Sequence, residues 1–211
     1  WFNSLVASAG GSILSKNGEQ VALGPPALRA LQVMRDFATS PAADPSLPNM
    51  MEDDVRLAVE AGRGAYEINW PFVYASMVAN DPAMARNLKW APYPGIDGPG
   101  RSPLGGANFA VSAYSRHPDE AFQAALCLRD PESQRIAAIK DGLPPTIAAV
   151  YEAPGMAEAY PMRQAILDAL ETAVPRPQTP TYQNVSTVAA EALSPPADID
   201  PPETLATLRT Q

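Results

Sequence analysis

The chain has 211 residues, 46% hydrophobic and 18% charged, a composition long enough and apolar enough for one or two globular domains. Its 15 Lys and Arg are scattered among 23 Asp and Glu for a net charge of −8, which speaks against a nucleic-acid partner, because phosphate binding needs clustered cations. A single Cys and a single His make neither a disulfide framework nor a metal set, and no run of 18 apolar residues is present to span a membrane, so no cofactor and no metal are expected.

The chain opens WFNSLVASAGG, with no Met and no signal peptide, as though it began in mid-domain; the expectation is a fragment or a partial record of a longer polypeptide. Trp1 to Ala9 has helical apolar spacing and stops at Gly10-Gly11. Ile13 to Leu23 reads as a small hairpin turning at Lys16-Asn17-Gly18. Pro25-Pro26 starts an amphipathic helix with Leu28, Leu31, Met34 and Phe37 on one face. A Pro-rich loop, Ser40 to Pro48, leads to a helix that begins at Asp53-Asp54, with its acidic residues at the favourable end of the dipole, and ends at Gly62.

Ala65 to Asn69 is predicted as a strand that stops at Trp70, and Pro71 to Ala79 as a helix. Leu88 to Tyr93 and Ala107 to Ser112 are further predicted strands, joined by a Gly- and Pro-rich loop. Pro118 starts a helix predicted to direct Phe122, Ala125, Leu126 and Leu128 inward, with Cys127 as a small buried core residue. Asp130-Pro131 caps the next helix and Gly142 ends it. A long helix is expected over Met156 to Val174, broken by Pro175-Arg176-Pro177. Tyr182 to Leu193 is helical, and Asp200-Pro201-Pro202-Glu203 has the spacing of a capping box for the last helix. Many of the 24 prolines thus read as helix starts or loop stiffeners, and helices alternating with isolated strands describe an α/β chain.

Candidate ligand residues are those whose backbone context restricts them: Trp1, Trp70, the step Gly105-Gly106-Ala107-Asn108, and Arg176. Trp70 stands at a strand end beside a helix N-terminus, and by itself reads as a core residue as readily as a ligand wall. Together the set suits a polyhydroxylated ligand. Pyranose C–H faces pack on indoles, Arg offers a rigid fork of donors, and paired glycines let backbone approach closely. Each position also has a plain structural reading, as turn, core or surface residue. Neither glycine step matches GxGxxG or a P-loop, and no GxSxG elbow or HExxH is present. A glycosidase would need two facing carboxylates, and Glu67 and Asp97 are only the acidic residues nearest to the candidate set in sequence.

The blocks WFNSLVASAGG, VEAGRGAYEINWPFVYASM, LGGANFAVSAYSRHPDEAFQAALCLRDPESQ, GLPPT and VPRPQTPTYQNVS, in that order, resemble the extracellular solute-binding proteins of bacterial ABC sugar importers, the maltose-binding protein group. Within that group the wording is closest to the trehalose-binding lipoproteins of mycobacteria. The resemblance implies a two-lobed α/β periplasmic-binding-protein fold of which this chain is the second half. Residues 1–104 and 151–211 would belong to lobe 2, and 105–150 would be a segment returning to lobe 1. It implies a non-enzymatic receptor that binds a disaccharide, trehalose favoured, in the interlobe cleft and delivers it to ABC permease subunits. Trp70 would stack on a sugar ring, Gly106 and Ala107 would offer backbone contacts, and Arg176 would bond sugar hydroxyls. Asn108 stands beside Ala107 where relatives often carry a Trp, and Trp1 lies near a second stacking aromatic of some relatives. A lipid anchor upstream of Trp1 would hold the protein at the outer face of the cytoplasmic membrane. A carbohydrate-active hydrolase fragment and a non-catalytic interaction domain are the alternatives.

Overall fold

A computed structural model describes all residues, Trp1–Gln211. Eleven α-helices follow in order: α1 Phe2–Ser8, α2 Pro25–Ala38, α3 Glu52–Glu60, α4 Phe72–Asn80, α5 Pro82–Ala85, α6 Pro118–Leu128, α7 Pro131–Asp141, α8 Met156–Ala159, α9 Arg163–Thr172, α10 Tyr182–Ala192 and α11 Pro201–Thr210. Five of them, α2, α5, α6, α7 and α11, start on proline, whose fixed φ suits the first turn and whose missing N–H would have had no partner there. The caps expected at Asp130 and Asp200 form. Asp130 accepts from the N–H groups of Glu132 and Ser133, and Asp200 from that of Glu203.

The chain divides into two compact units. The first comprises Trp1–Met51, Pro92–Leu104 and Asp168–Gln211, the second Glu52–Ala91 and Gly105–Leu167. In the first, α1 and α11 pack on α2, and α10 packs on α11. Phe2, Leu5 and Val6 meet Ala27, Ala30, Leu31, Leu205 and Leu208 in one apolar cluster. The buried face of α2 is therefore the small-residue one. Leu28 and Phe37, expected beside Leu31, are 38% and 48% exposed, because alanines at 27 and 30 let the neighbouring helices come close. The predicted hairpin is present in minimal form as one antiparallel bridge, Leu14 to Val21. Arg209 ties α11 to its end by two bonds to the Leu23 carbonyl, 2.9 and 2.7 Å.

In the second unit, α4 packs on α3, α5 and α7, and α7 packs on α8. Tyr151 and Tyr160, both buried, form its centre with Ala138, Met156 and Met162. The Tyr151 hydroxyl donates to the Pro145 carbonyl at 2.9 Å and the Tyr160 hydroxyl to that of Gly142 at 3.2 Å, pinning both ends of the Leu143-Pro144-Pro145 connection. Gly142 ends α7 at φ +69°, and a Cβ there would stand 2.9 Å from Ala75 Cβ and 3.1 Å from Phe72 Cα. Only a glycine lets α7 end this close to the first turn of α4.

Several expectations need correction. Residues 65–69, 88–93 and 107–112 form no strands; a strand exists only through ladder bonds to a neighbour, and none of these residues takes part in a β-bridge. The long helix over 156–174 is two helices. Pro161 cannot supply the N–H, and it forces Tyr160 out of the helical region, to φ −129°, ψ 58°. Cys127 is exposed, not core, and Phe122, Leu126 and Leu128 are 60%, 50% and 59% exposed. α6 forms where expected, yet none of its residues is buried, so the side chains expected to face inward have no core to enter.

Candidate functional site

Around Trp70 the second unit gathers a small polar cluster. The side-chain amide of Asn69 donates to the Glu52 carbonyl at 2.9 Å and to Glu67 Oε2 at 3.1 Å, while Asn69 Oδ1 accepts from the Trp70 N–H at 2.8 Å. The Trp70 indole, 36% exposed, donates Nε1–H to Glu52 Oε1 at 3.3 Å. Its six-membered ring lies against the bare backbone of Gly105, where a Cβ would stand 3.1 Å from Cη2 and Cζ3. Trp70 is neither core nor free: one edge is fixed by protein and part of the ring meets solvent. Gly106 follows with φ +151°, and Ala107 and Asn108 are exposed. The structure thus brings Trp70 and the glycine step together, which their sequence separation did not require.

Behind this cluster Arg56 is 8% exposed and bonds Asp53 at 3.1 Å and Glu60 at 2.7 Å, so its charge is matched where it is buried. Glu67 has one carboxylate oxygen, Oε1, buried with no partner. Burial pushes its carboxyl above the usual range and Glu60 adds to this, while the Asn69 amide and Arg56 pull the other way. Asp97, the other acidic residue singled out from the sequence, belongs to the first unit and pairs with Arg29 at 3.1 Å in solvent. The residues offer no group of three or more His, Cys, Asp or Glu able to hold a metal.

Trp1 and Arg176 belong to the first unit. Trp1 is 60% exposed and its ring lies 6.5 Å from that of Tyr93, tilted by 59°. Burial raises the Tyr93 phenol pKa. Arg176 itself is exposed, two residues past a parallel bridge between Pro103 and Val174. Val174 N–H donates to Ser102 O at 3.0 Å and Leu104 N–H to Val174 O at 2.8 Å, so this bridge sets where the Pro175-Arg176-Pro177 step emerges. Trp1 and Tyr93 form an aromatic pair on that unit, which also carries Arg176.

Sequence reasoning missed Glu52, Asn69 and Tyr93. Asp53-Asp54 read as helix-dipole chemistry, with nothing to single out Glu52 before them, and Tyr93 reads as part of a strand. Chemically the candidate residues of the two units offer flat aromatic faces, a guanidinium fork, carboxylates and open backbone. They contain no nucleophile–base pair.

The family described as bacterial extracellular solute-binding protein matches residues 1–135. An ABC transporter-binding protein of Deinococcus radiodurans is 32% identical over 199 residues, which is 92% of this chain and 46% of that protein. Among solved structures, the maltose-bound MalE3 of T. maritima superposes with a TM-score of 0.82 at 24% identity, covering 99% of this chain and 55% of the other. The GacH receptor of Streptomyces glaucescens, solved unliganded and with acarbose, gives 0.84 at 25% identity over 99% and 54%. The chain therefore spans about half the length of the relatives it matches, and its fold is part of the two-lobed fold of the periplasmic sugar-binding proteins.

Proposed function

The chain belongs to the bacterial extracellular solute-binding protein family, and on that premise we propose that it is the sugar-binding component of an ABC importer, taking a disaccharide, with trehalose favoured, and presenting it to the permease. The observation that carries this reading is Trp70, a partly exposed indole held at its edge by Glu52 and backed by Gly105. A flat apolar face beside carboxylates and open backbone matches a pyranose, which pairs C–H faces with hydroxyls. In the first unit Trp1 and Tyr93 supply aromatic surface and Arg176 supplies donors to hydroxyls; in the second, Gly106, Ala107 and Asn108 supply backbone and amide groups. The preference for trehalose rests on the wording of the sequence blocks alone.

We propose further that these residues form the second half of such a protein, with 105–150 as the segment returning to the first lobe and a lipid anchor upstream at the outer face of the cytoplasmic membrane. What supports the half-chain reading is the share of each relative that the chain spans, together with the exposed apolar side chains of α6, Phe122, Leu126 and Leu128. Members of this family bind solutes and are not enzymes, so incubation with trehalose or maltose is expected to leave the sugar intact; hydrolysis would favour the glycosidase alternative.

Isothermal calorimetry of the complete protein tests the reading, since these residues span about half the length of the relatives they match. Saturable heat is expected with trehalose or maltose, and Trp70→Ala is expected to weaken binding by about 2 kcal/mol or more, as buried aromatic anchors do. No saturable heat with any disaccharide would remove the sugar claim, and unchanged affinity in the variant would return Trp70 to a structural role.

A further inference from the structure

Resting on the reading of Trp70 as a sugar-facing indole, we propose that Glu52 is a positioning residue that presets the plane of that ring. An indole more than a third exposed just ahead of a helix would ordinarily sample several rotamers. Here three contacts restrict it. The Glu52 carboxylate accepts the indole N–H at 3.3 Å, from eighteen residues away. Asn69 ties the backbone on the other side of the same residue to the same short segment, since its amide donates to the Glu52 carbonyl at 2.9 Å while its Oδ1 receives the Trp70 N–H at 2.8 Å. The bare Gly105 backbone closes the third side, with no room for a methyl against Cη2 and Cζ3. The N–H edge of the ring, its main chain and its six-membered tip are thus held by groups of the second unit alone. Stacking a sugar on a ring already in place avoids the entropy of ordering it on binding. Glu52 acts through Trp70 and need not touch the ligand.

In an ¹⁵N spectrum of the complete protein, the indole N–H signal of Trp70 is identified by its loss in Trp70→Phe. In Glu52→Ala the Trp70 indole proton is expected to exchange with solvent about fivefold faster, the scale of one lost hydrogen bond. Affinity for trehalose or maltose should fall by a similar factor. Glu52→Gln, whose carbonyl accepts the same bond, should restore both, and Glu52→Ala placed on Trp70→Phe should weaken binding no further. Gly105→Ala is an independent arm: its methyl should displace the ring, shift the same signal and weaken binding while Glu52 is intact. An unchanged Trp70 signal in Glu52→Ala overturns the proposal, as does a loosened indole with undiminished affinity. A loosened indole in a protein that binds neither sugar upholds the hold of Glu52 on the ring and removes the sugar reading instead.

Discussion

Gly142→Ala should destabilise the second unit far more than the same change at Gly62. Both glycines sit at positive φ, +69° and +73°, so a Cβ at either position incurs the left-handed penalty of about 1 kcal/mol. Their surroundings differ. Nothing lies within 4 Å of a Cβ on Gly62, whereas one on Gly142 meets Ala75 Cβ at 2.9 Å and Phe72 Cα at 3.1 Å. Backbone and a methyl cannot swing aside, so α7 or α4 must move, an overpacking cost of roughly 1–3 kcal/mol. The expected loss is therefore about 2–4 kcal/mol for Gly142→Ala against about 1 for Gly62→Ala. Urea unfolding followed by tryptophan fluorescence measures both, and both positions lie in the same unit, so the comparison does not depend on the other. Equal losses in the two variants would refute the close approach of the end of α7 to the start of α4. Because α4 begins two residues after Trp70, Gly142→Ala should also perturb the Trp70 indole signal.

Burial raises the Glu67 carboxyl, so the folded chain keeps that proton at pH values where the unfolded chain has released it; this contribution is full below the unfolded value of 4.5 and lost as pH rises through the folded one. Glu67→Gln should therefore melt higher than wild type at pH 7, with the gain shrinking towards pH 4; a gain of equal size at both would refute the assignment. Burial likewise pushes Tyr151 up to about 12 and raises Tyr160, so stability in urea unfolding should be flat to about pH 10 and fall from there towards 12. Tyr160→Phe leaves the Gly142 carbonyl without its donor and should cost about 1–3 kcal/mol in urea unfolding. Arg176→Ala, at an exposed position, should leave the melting temperature in place and weaken disaccharide binding by roughly 1.5–3 kcal/mol, the worth of hydrogen bonds from a charged group; a lowered melting temperature with unchanged affinity would make it structural.

What the sequence determines by itself is what a few neighbouring residues decide. Proline supplies the φ of a first turn, Asp130 and Asp200 take up the free N–H groups behind their prolines, and Gly142 accepts a conformation that side chains resist, so these helix ends are legible in the residues themselves. The break at Tyr160-Pro161 is legible on the same grounds, but the apolar periodicity running through it masks it. The ordered blocks also carry the family. Tertiary structure decides which faces are covered and which distant residues meet. The residues show that α6 is a helix with apolar side chains but not whether anything packs on them, and residues 65–69 become a strand only if another segment supplies the ladder. The juxtapositions of Glu52 with Trp70, of Trp70 with Gly105 and of Trp1 with Tyr93 have no local signature at all. Each depends on where long-range packing brings two segments, and the energy that does so is spread over cores such as Tyr151, Tyr160 and Met156, remote from the side chains it positions.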